Sequence, residues 1–431
     1  MKVGIRFEGK ELGEIDFSKL EEGNPGVGGT EFLLIQLSYY IIKYCKNIDV
    51  VIYNSNFTIL PKTENQSIIH TIIENDINAL EKAKEDNVDI FIFVPKSRGE
   101  DFYTKLDELN ISSIAWVHNY IDYNNIERLQ KCRSVKRIVF VGNQHYDAYI
   151  DDNMINKALY IYNMVLPGRV TEINCRLKEK TVTYVGALIP TKGFHKLAKQ
   201  WKAILKDVPD AKLYVIGSGK LYDRFAEMGP RNIAEKKYEK KLMRYLSTNG
   251  SLIDSVCFCG TMGAEKKKII EKTKVGVANP TGISETFCLS AVEFEAVGIP
   301  VVSYKGYGLL DTVSNKHTGI LIKTGKQLKN AIITLLKNDD INSLYGTNGQ
   351  VFYKQNFTPE IIINQWNKLF NEIMEDKPCN IIYPIDNKMD DWKWLRIINH
   401  HFKKKYSFHK LPSVAFLISY IKQNIKKILN R

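Results

Sequence analysis

A chain of 431 residues, 44% hydrophobic and 25% charged, has room for two or three globular domains with sizeable cores. It offers no uninterrupted apolar stretch long enough to span a bilayer, and its seven cysteines form no C-x-x-C pair and are odd in number, which argues against a full disulfide framework. The net charge of +13 calls for acidic partners such as nucleic acid, an anionic membrane or substrate phosphates, but no RNA-recognition, zinc-finger or KH signature is present, so nucleic acid is not expected.

In chain order, short apolar runs alternate with helix-like stretches, the pattern of an α/β protein with parallel sheets covered by helices. The first half predicts strands at 3–7, 50–53, 90–94, 114–117, 138–141 and 159–162. Arg6 and Glu8 break the first of these, and no leader peptide is expected. Residues 9–22 read as a long polar loop. Gly23-Asn-Pro-Gly-Val-Gly-Gly-Thr-Glu31 then opens an apolar helix over 32–44. A glycine-rich loop entering a helix lets backbone approach a ligand closely, although no Lys-Ser or Lys-Thr follows to make a Walker A motif. His118 closes the strand at 114–117, at the sheet edge where open α/β folds bind ligands. Asn119, Tyr120 and Asp122 follow it and are candidates for contacts to ligand hydroxyls. His145 reads as a surface or capping residue.

Residues 166–169, Leu-Pro-Gly-Arg, read as an interdomain linker, and 181–188 starts a second sheet. Further strands are expected at 212–216, 256–260, 275–278, 299–304 and 318–322. A basic helix is expected over 231–250, with Lys236, Lys237, Lys240 and Lys241 on a solvated face. Cys257 and Cys259 share one face of their strand and read as small buried thiols, not a metal site. After the run 275–278 come Asn279, Pro280 and Gly282, then Ser284 as a helix N-cap and a helix over 287–297 stopped by Gly298 and Pro300. Such a helix start attracts phosphate through its free N–H groups and dipole. Glu285 stands at its mouth, and Glu293, eight residues on, returns near the same face. Carboxylates beside a phosphate site suit a ligand that also carries hydroxyls, and phosphate plus polyol points to a nucleotide sugar.

The spacing E-x7-E, followed by E-A-x-G-x-P-V-V, resembles the signature of retaining glycosyltransferases with the GT-B fold, the family 4 type (glycosyl transferases group 1). The resemblance extends to Gly28, Gly29 and Glu31, similar to the family's GG-x-E loop, and to Tyr184-Val-Gly-Ala-Leu-Ile-Pro-Thr-Lys-Gly193, similar to its V-G-R-L-x-x-x-K-G segment. It implies two Rossmann-like domains facing across a cleft, at 1–167 and 168–358, with a crossover helix at 359–376 returning to the first domain. It further implies Glu285 by the donor sugar, Glu293 on the ribose, the backbone of Thr286, Phe287, Cys288 and Leu289 on the pyrophosphate, and Lys192 as its cation. Gly28, Gly29 and Gly217 would face the donor, His118 the transferred sugar, and Glu31, with Asn119, Tyr120 and Asp122, the acceptor. Two positions depart from the family. Cys288 replaces a glycine and would crowd the phosphates, and Ala187 replaces an arginine, so that Arg6, Lys220 or a loop residue would have to substitute. Gly306-Tyr-Gly308 would border the sugar site.

The expected activity is transfer of a sugar from a UDP- or GDP-linked donor to a hydroxyl with retention, in capsule or lipopolysaccharide synthesis, on a lipid-linked or growing glycan. No trusted carboxylate nucleophile is seen, so a same-face displacement is expected. No Asp-x-Asp triplet occurs, so no metal is expected. A non-catalytic glycan- or partner-binding relative and a sugar-nucleotide epimerase are the rival readings. Residues 377–431 lie beyond the resemblance. Trp392, Trp394, Phe408 and Phe416 mixed with Lys403, Lys404 and Lys405 suit either an anionic membrane surface or a helical add-on packed on the core, giving a cytoplasmic or peripherally membrane-bound protein.

Overall fold

Runs such as Ile90–Phe93 and Val275–Ala278 are apolar at every position, which is what a strand needs when both faces of its sheet are covered by helices. In the computed structural model the described residues are 1–166, 179–220, 226–380, 393–406 and 411–421, without 10, 11, 13, 14, 97, 284, 415 and 419. The linker at 166–169 and the proposed cap Ser284 therefore fall largely or wholly outside them, as do Trp392 and Phe408.

The first domain orders its strands β3-β2-β1-β4-β5-β6-β7, all parallel. They are β1 Lys2–Arg6, β2 Asp49–Asn54, β3 Ile69–Ile72, β4 Ile90–Phe93, β5 Ser113–Val117, β6 Val135–Phe140 and β7 Ala158–Tyr160. Between them lie α1 Gly29–Tyr44, α2 Asp76–Glu85, α3 Glu100–Leu109, α4 Tyr123–Lys131 and α5 Asn143–Asp147. Helix α1 is buried at every position from Phe32 to Ile42, because it is sandwiched by protein on all sides.

The second domain repeats the plan. Its strands β8 Thr181–Val185, β9 Lys212–Ile216, β12 Val256–Gly260, β13 Val275–Ala278, β14 Val301–Tyr304 and β15 Gly319–Ile322 lie in the order β12-β9-β8-β13-β14-β15. A small hairpin, β10 Ser247–Thr248 with β11 Ser251–Leu252, closes the stretch in which a helix to 250 was expected; the helix, α7 Lys236–Leu246, ends earlier. Its four lysines are exposed, as their solvated reading requires. The other helices are α6 Phe194–Asp207, α8 Lys267–Ile270, α9 Leu289–Ala296, α10 Leu309–Thr312, α11 Gly325–Lys337 and α12 Asp339–Asn356.

Helix α13, Pro359–Met374, leaves the second domain and packs on α1, with Trp366 meeting Trp116 of β5 at 5.1 Å between ring centroids. The domains are joined by shared core as well: Phe287 and Val292 of the second bury with Leu33 and Trp116 of the first. A last helix, α14 Lys393–Tyr406, lies on the first domain beside α5. Two readings of buried and exposed residues are corrected. Cys257 is exposed and Cys259 half-buried, with sulfurs 3.9 Å apart, because β12 is the edge strand of its sheet. His145 is fully buried, not a surface group, because α5 turns its ring between Phe140, Tyr120 and Tyr149.

Candidate active site

In the second sheet, β8 and β13 are neighbours whose connections run to opposite sides, and the crevice beyond their C-terminal ends is where such sheets bind ligands. Two loops line it. After β8, Gly186 and Ala187 lead to Lys192; after β13, residues 279–288 lead to α9. Asn279 organises the second loop. Its Oδ1 accepts from Thr281 Oγ1 at 2.8 Å and from the Gly282 amide at 3.0 Å, while its Nδ2 donates to Glu285 Oε2 at 2.6 Å. The same Oε2 receives Lys192 Nζ at 2.8 Å, so two donors fix the Glu285 carboxylate. Gly193, with φ of 75°, brings the lysine turn against Thr281; a β-carbon there would lie 2.5 Å from Thr281 Cγ2. Next to it, Gly217 has φ of 141°, and a β-carbon would stand 2.0 Å from the Gly186 carbonyl oxygen, so only glycine closes this corner.

Helix α9 begins at Leu289, later than expected, and its N-cap is Cys288 with no side-chain cap bond. Glu285 thus precedes the helix, and it meets Glu293 at the cavity by the path of the loop, not by a shared helical face. Glu293 sits two-thirds of the way along α9, its Oε1 2.8 Å from Lys266 Nζ. Cys288 does not crowd the opening: its thiol packs with Ala278, Ala291 and Phe294 beneath the loop, and burial pushes its pKa up to about 12. Its φ of −95° suits any residue, so nothing in the backbone demands the glycine expected there.

The opposite wall comes from the first domain. Gly26, Gly29 and Thr30 face Leu289 across the gap, and Gly26 approaches Thr261 of the second domain. His118 and Asn119 follow β5, and Asn163 follows β7. His118 is buried with Nε2 unpaired, and burial drives its pKa down to about 3, which keeps the imidazole neutral. Its carbonyl accepts from Thr286 Oγ1 at 2.6 Å, one of the direct ties between the domains. Together the walls enclose about 470 Å³, a volume suited to a ligand of nucleotide-sugar size.

Of the residues singled out in the sequence, Glu285, Glu293, Lys192, His118, Asn119, Gly29, Gly217 and the segment 286–289 come together in this cavity. Gly28 and Glu31 do not form its wall: the Glu31 carboxylate folds back over Gly28 at the start of α1. Asp122 caps α4, accepting from the Asn125 amide at 2.9 Å, so its carboxylate is used locally. Tyr120 meets His145 edge to face, 5.0 Å between centroids, and lies beside the cavity, not in its lining. Gly306 and Gly308 sit behind the loop, the Gly308 amide donating to the Glu285 carbonyl at 2.9 Å. Arg6 cannot replace the missing arginine, since it is buried in β1 and paired with Asp76 at 2.8 Å. Lys220 is exposed and outside the lining.

The residue that sequence reasoning missed is Lys266. With Lys192 it supplies the lysines of the lining, each set against one glutamate, and Ala187 nearby contributes no charge. Only the fold brings Lys266 to Glu293, 27 positions away in the chain. Asn279 was legible only as a turn residue after a strand, and Asn163, buried with its Oδ1 unpaired, carried no signal.

Residues 171–352 match the family described as Glycosyl transferases group 1. The chain is 23% identical over 203 residues to the capsular polysaccharide biosynthesis glycosyltransferase CapM of Staphylococcus aureus, covering 45% of this chain and 47% of that protein. It is 25% identical over 198 residues to poly(ribitol-phosphate) alpha-N-acetylglucosaminyltransferase of Staphylococcus aureus strain COL, covering 45% of this chain and 36% of that protein. The chain spans about half the length of the curated relatives it matches. Among solved structures, Anabaena HepE in complex with UDP and glucose aligns with a TM-score of 0.60 at 15% identity, covering 86% of this chain and 100% of that one. The fold is GT-B.

Proposed function

We propose that the protein is a glycosyltransferase that moves a sugar from a UDP- or GDP-linked donor to a hydroxyl of a lipid-linked or growing surface glycan, with retention. The observation that carries this reading is the pair of lysine–glutamate couples, Lys192–Glu285 and Lys266–Glu293, facing one cavity beside the start of α9. Phosphates entering there meet two cations and unpaired helix amides, while the carboxylates are placed for hydroxyls of ribose and sugar. Relatives named for capsule and ribitol-phosphate glycosylation, and a neighbour holding UDP and glucose, support the same class.

In this reading the lysines exchange their carboxylate partners for the diphosphate and stabilise charge as it leaves. Lys266 takes the part of the arginine that Ala187 lacks. Glu285 orients the donor sugar, neutral His118 offers Nε2 to one of its hydroxyls, and Asn119 receives the acceptor. Leaving phosphate and incoming hydroxyl share one face, and the phosphate accepts the acceptor proton. With two lysines to meet the charge of the diphosphate, transfer should survive EDTA; loss on EDTA restored by manganese would refute that step.

The deciding experiment screens UDP- and GDP-sugars for protection against thermal unfolding, then follows release of nucleoside diphosphate with and without glycan acceptors. Protection by one donor and acceptor-dependent release is the expected result. Protection with no turnover would favour the non-catalytic reading, and conversion of the donor sugar without acceptor would favour an epimerase.

A further inference from the structure

We infer that the outward face of α14 is a docking surface for an anionic lipid bilayer. The helix is amphipathic in an inverted sense. Its charged face is buried: Arg396 pairs with Asp147 at 3.3 Å, Lys403 donates to the Asp151 carbonyl at 2.7 Å, and Asn399 donates to Asp151 Oδ2 at 2.8 Å. These bonds fix the rotation of the helix on the first domain. The face turned outward is then apolar and aromatic, with Trp394 62%, Ile398 47%, Phe402 49% and Tyr406 50% exposed. Each stands four positions after the last, so they form one ridge, about 18 Å long at the helical rise of about 1.5 Å per residue. Leu417, Tyr420 and Ile421, later in the chain, are exposed as well.

Charge selects the occupant. Lys404 and Lys405 are exposed on the same helix, and Lys405 Nζ lies 5.3 Å from the Tyr406 ring centre, among the ridge residues. Residues 377–431 carry twelve Lys and Arg against three Asp, most of the chain's net +13. A second copy of this chain would bring like charge to like charge, so self-association through the ridge is opposed. An anionic bilayer meets both demands: headgroups for the lysines, and an interfacial layer for Trp and Tyr, whose rings are apolar and whose edges are polar. Of the docking acids, Asp147 ends α5 and Asp151 follows it, and the first turn of α5 meets the second domain where the Gln144 amide donates to Asp311. A bilayer on α14 therefore lies on the first-domain side of the cleft, which suits the lipid-linked acceptor proposed above; vesicle binding is read without any transfer, so the two readings fail separately.

The test is sedimentation of the full chain with vesicles of phosphatidylcholine alone or mixed with phosphatidylglycerol, at low and high salt. Binding to the anionic vesicles, weakened by salt, is expected. The double variant Trp394→Ser/Phe402→Ser should lose binding by about tenfold or more, and Lys404→Glu/Lys405→Glu should lose the preference for phosphatidylglycerol, both with unchanged thermal unfolding. No sedimentation of the wild type with anionic vesicles at low salt would overturn the inference. So would wild-type binding by the aromatic variant, or a wild-type dimer in solution that this variant dissociates.

Discussion

Glu285 and Lys266 carry the sharpest consequences at the level of single residues. Glu285 holds Lys192 at 2.8 Å, so neutralising it loosens a cation toward incoming phosphate. For Glu285→Gln, nucleoside diphosphate affinity should stay level or rise, while turnover falls by about a hundredfold or more. Calorimetric titration with UDP and GDP beside a transfer assay separates the two; turnover at the wild-type level would remove Glu285 from the reacting centre. Lys266 presents a different question, because its bond to Glu293 could serve the phosphates or only hold the carboxylate for ribose. Lys266→Met should weaken UDP or GDP by about tenfold while leaving uridine or guanosine nearly unaffected, since a buried charge-assisted bond to phosphate is worth about 1.5–3 kcal/mol. Equal losses for diphosphate and nucleoside would assign Lys266 to positioning Glu293 alone.

The loops that shape the site make their own prediction. Gly217 and Gly250 both adopt positive φ, 141° and 78°, yet a β-carbon at Gly217 meets the Gly186 carbonyl oxygen at 2.0 Å, and one at Gly250 meets nothing within 4 Å. Gly250→Ala should therefore cost only the backbone strain, about 1 kcal/mol, and Gly217→Ala about 2–4 kcal/mol, read from urea denaturation midpoints. Equal costs would mean that the corner between β8 and β9 yields easily. The same contrast explains which elements could be read in advance. Strands such as β4 and β13 are buried on both faces, so each appears in the sequence as an unbroken apolar run. Strand β3, Ile-His-Thr-Ile, was missed because it is a partly exposed edge strand with polar residues between its isoleucines. The start of α9 was placed too early because the apolar Phe287 and Cys288 belong to the loop and bury beneath it. Lys192 and Glu285 were assigned to one site by the resemblance of their two motifs, though not as an ion pair, whereas Lys266–Glu293 depends on two segments meeting in space and leaves no local pattern. In α14 the basic residues were visible but their direction was not, since Asp147 and Asp151, which draw Arg396 and Lys403 inward, lie some 250 positions earlier.

The two domains are tied by groups whose charge depends on pH. Asp311, on α10 of the second domain, accepts the Gln144 amide of α5 at 2.8 Å, and its Oδ2 fills the space that a side chain at Gly142 would need. Burial, aided by the nearby Asp147 charge, raises its pKa to about 7 from 3.8. Below the unfolded value the carboxyl is protonated in both states and folding is indifferent to it. Between the two values the folded chain holds a proton that the unfolded chain has released, so stability falls as pH rises. Above 7 the loss is complete, at most about 4 kcal/mol. His118 and His145 act in the opposite sense over much of this range, because burial lowers both to about 3 and the folded chain refuses protons that the unfolded chain binds below 6.5. The pH profile of the wild type alone therefore mixes opposing slopes, and the difference between wild type and Asp311→Asn isolates one of them. Asparagine keeps an oxygen to accept the Gln144 amide and carries no charge. Its stability advantage, from urea midpoints at a series of pH values, should be small at pH 4, grow to about pH 7 and then level off. An advantage that is constant across the series, or absent at pH 8, would show that the buried charge of Asp311 does not weigh on the joint between the domains.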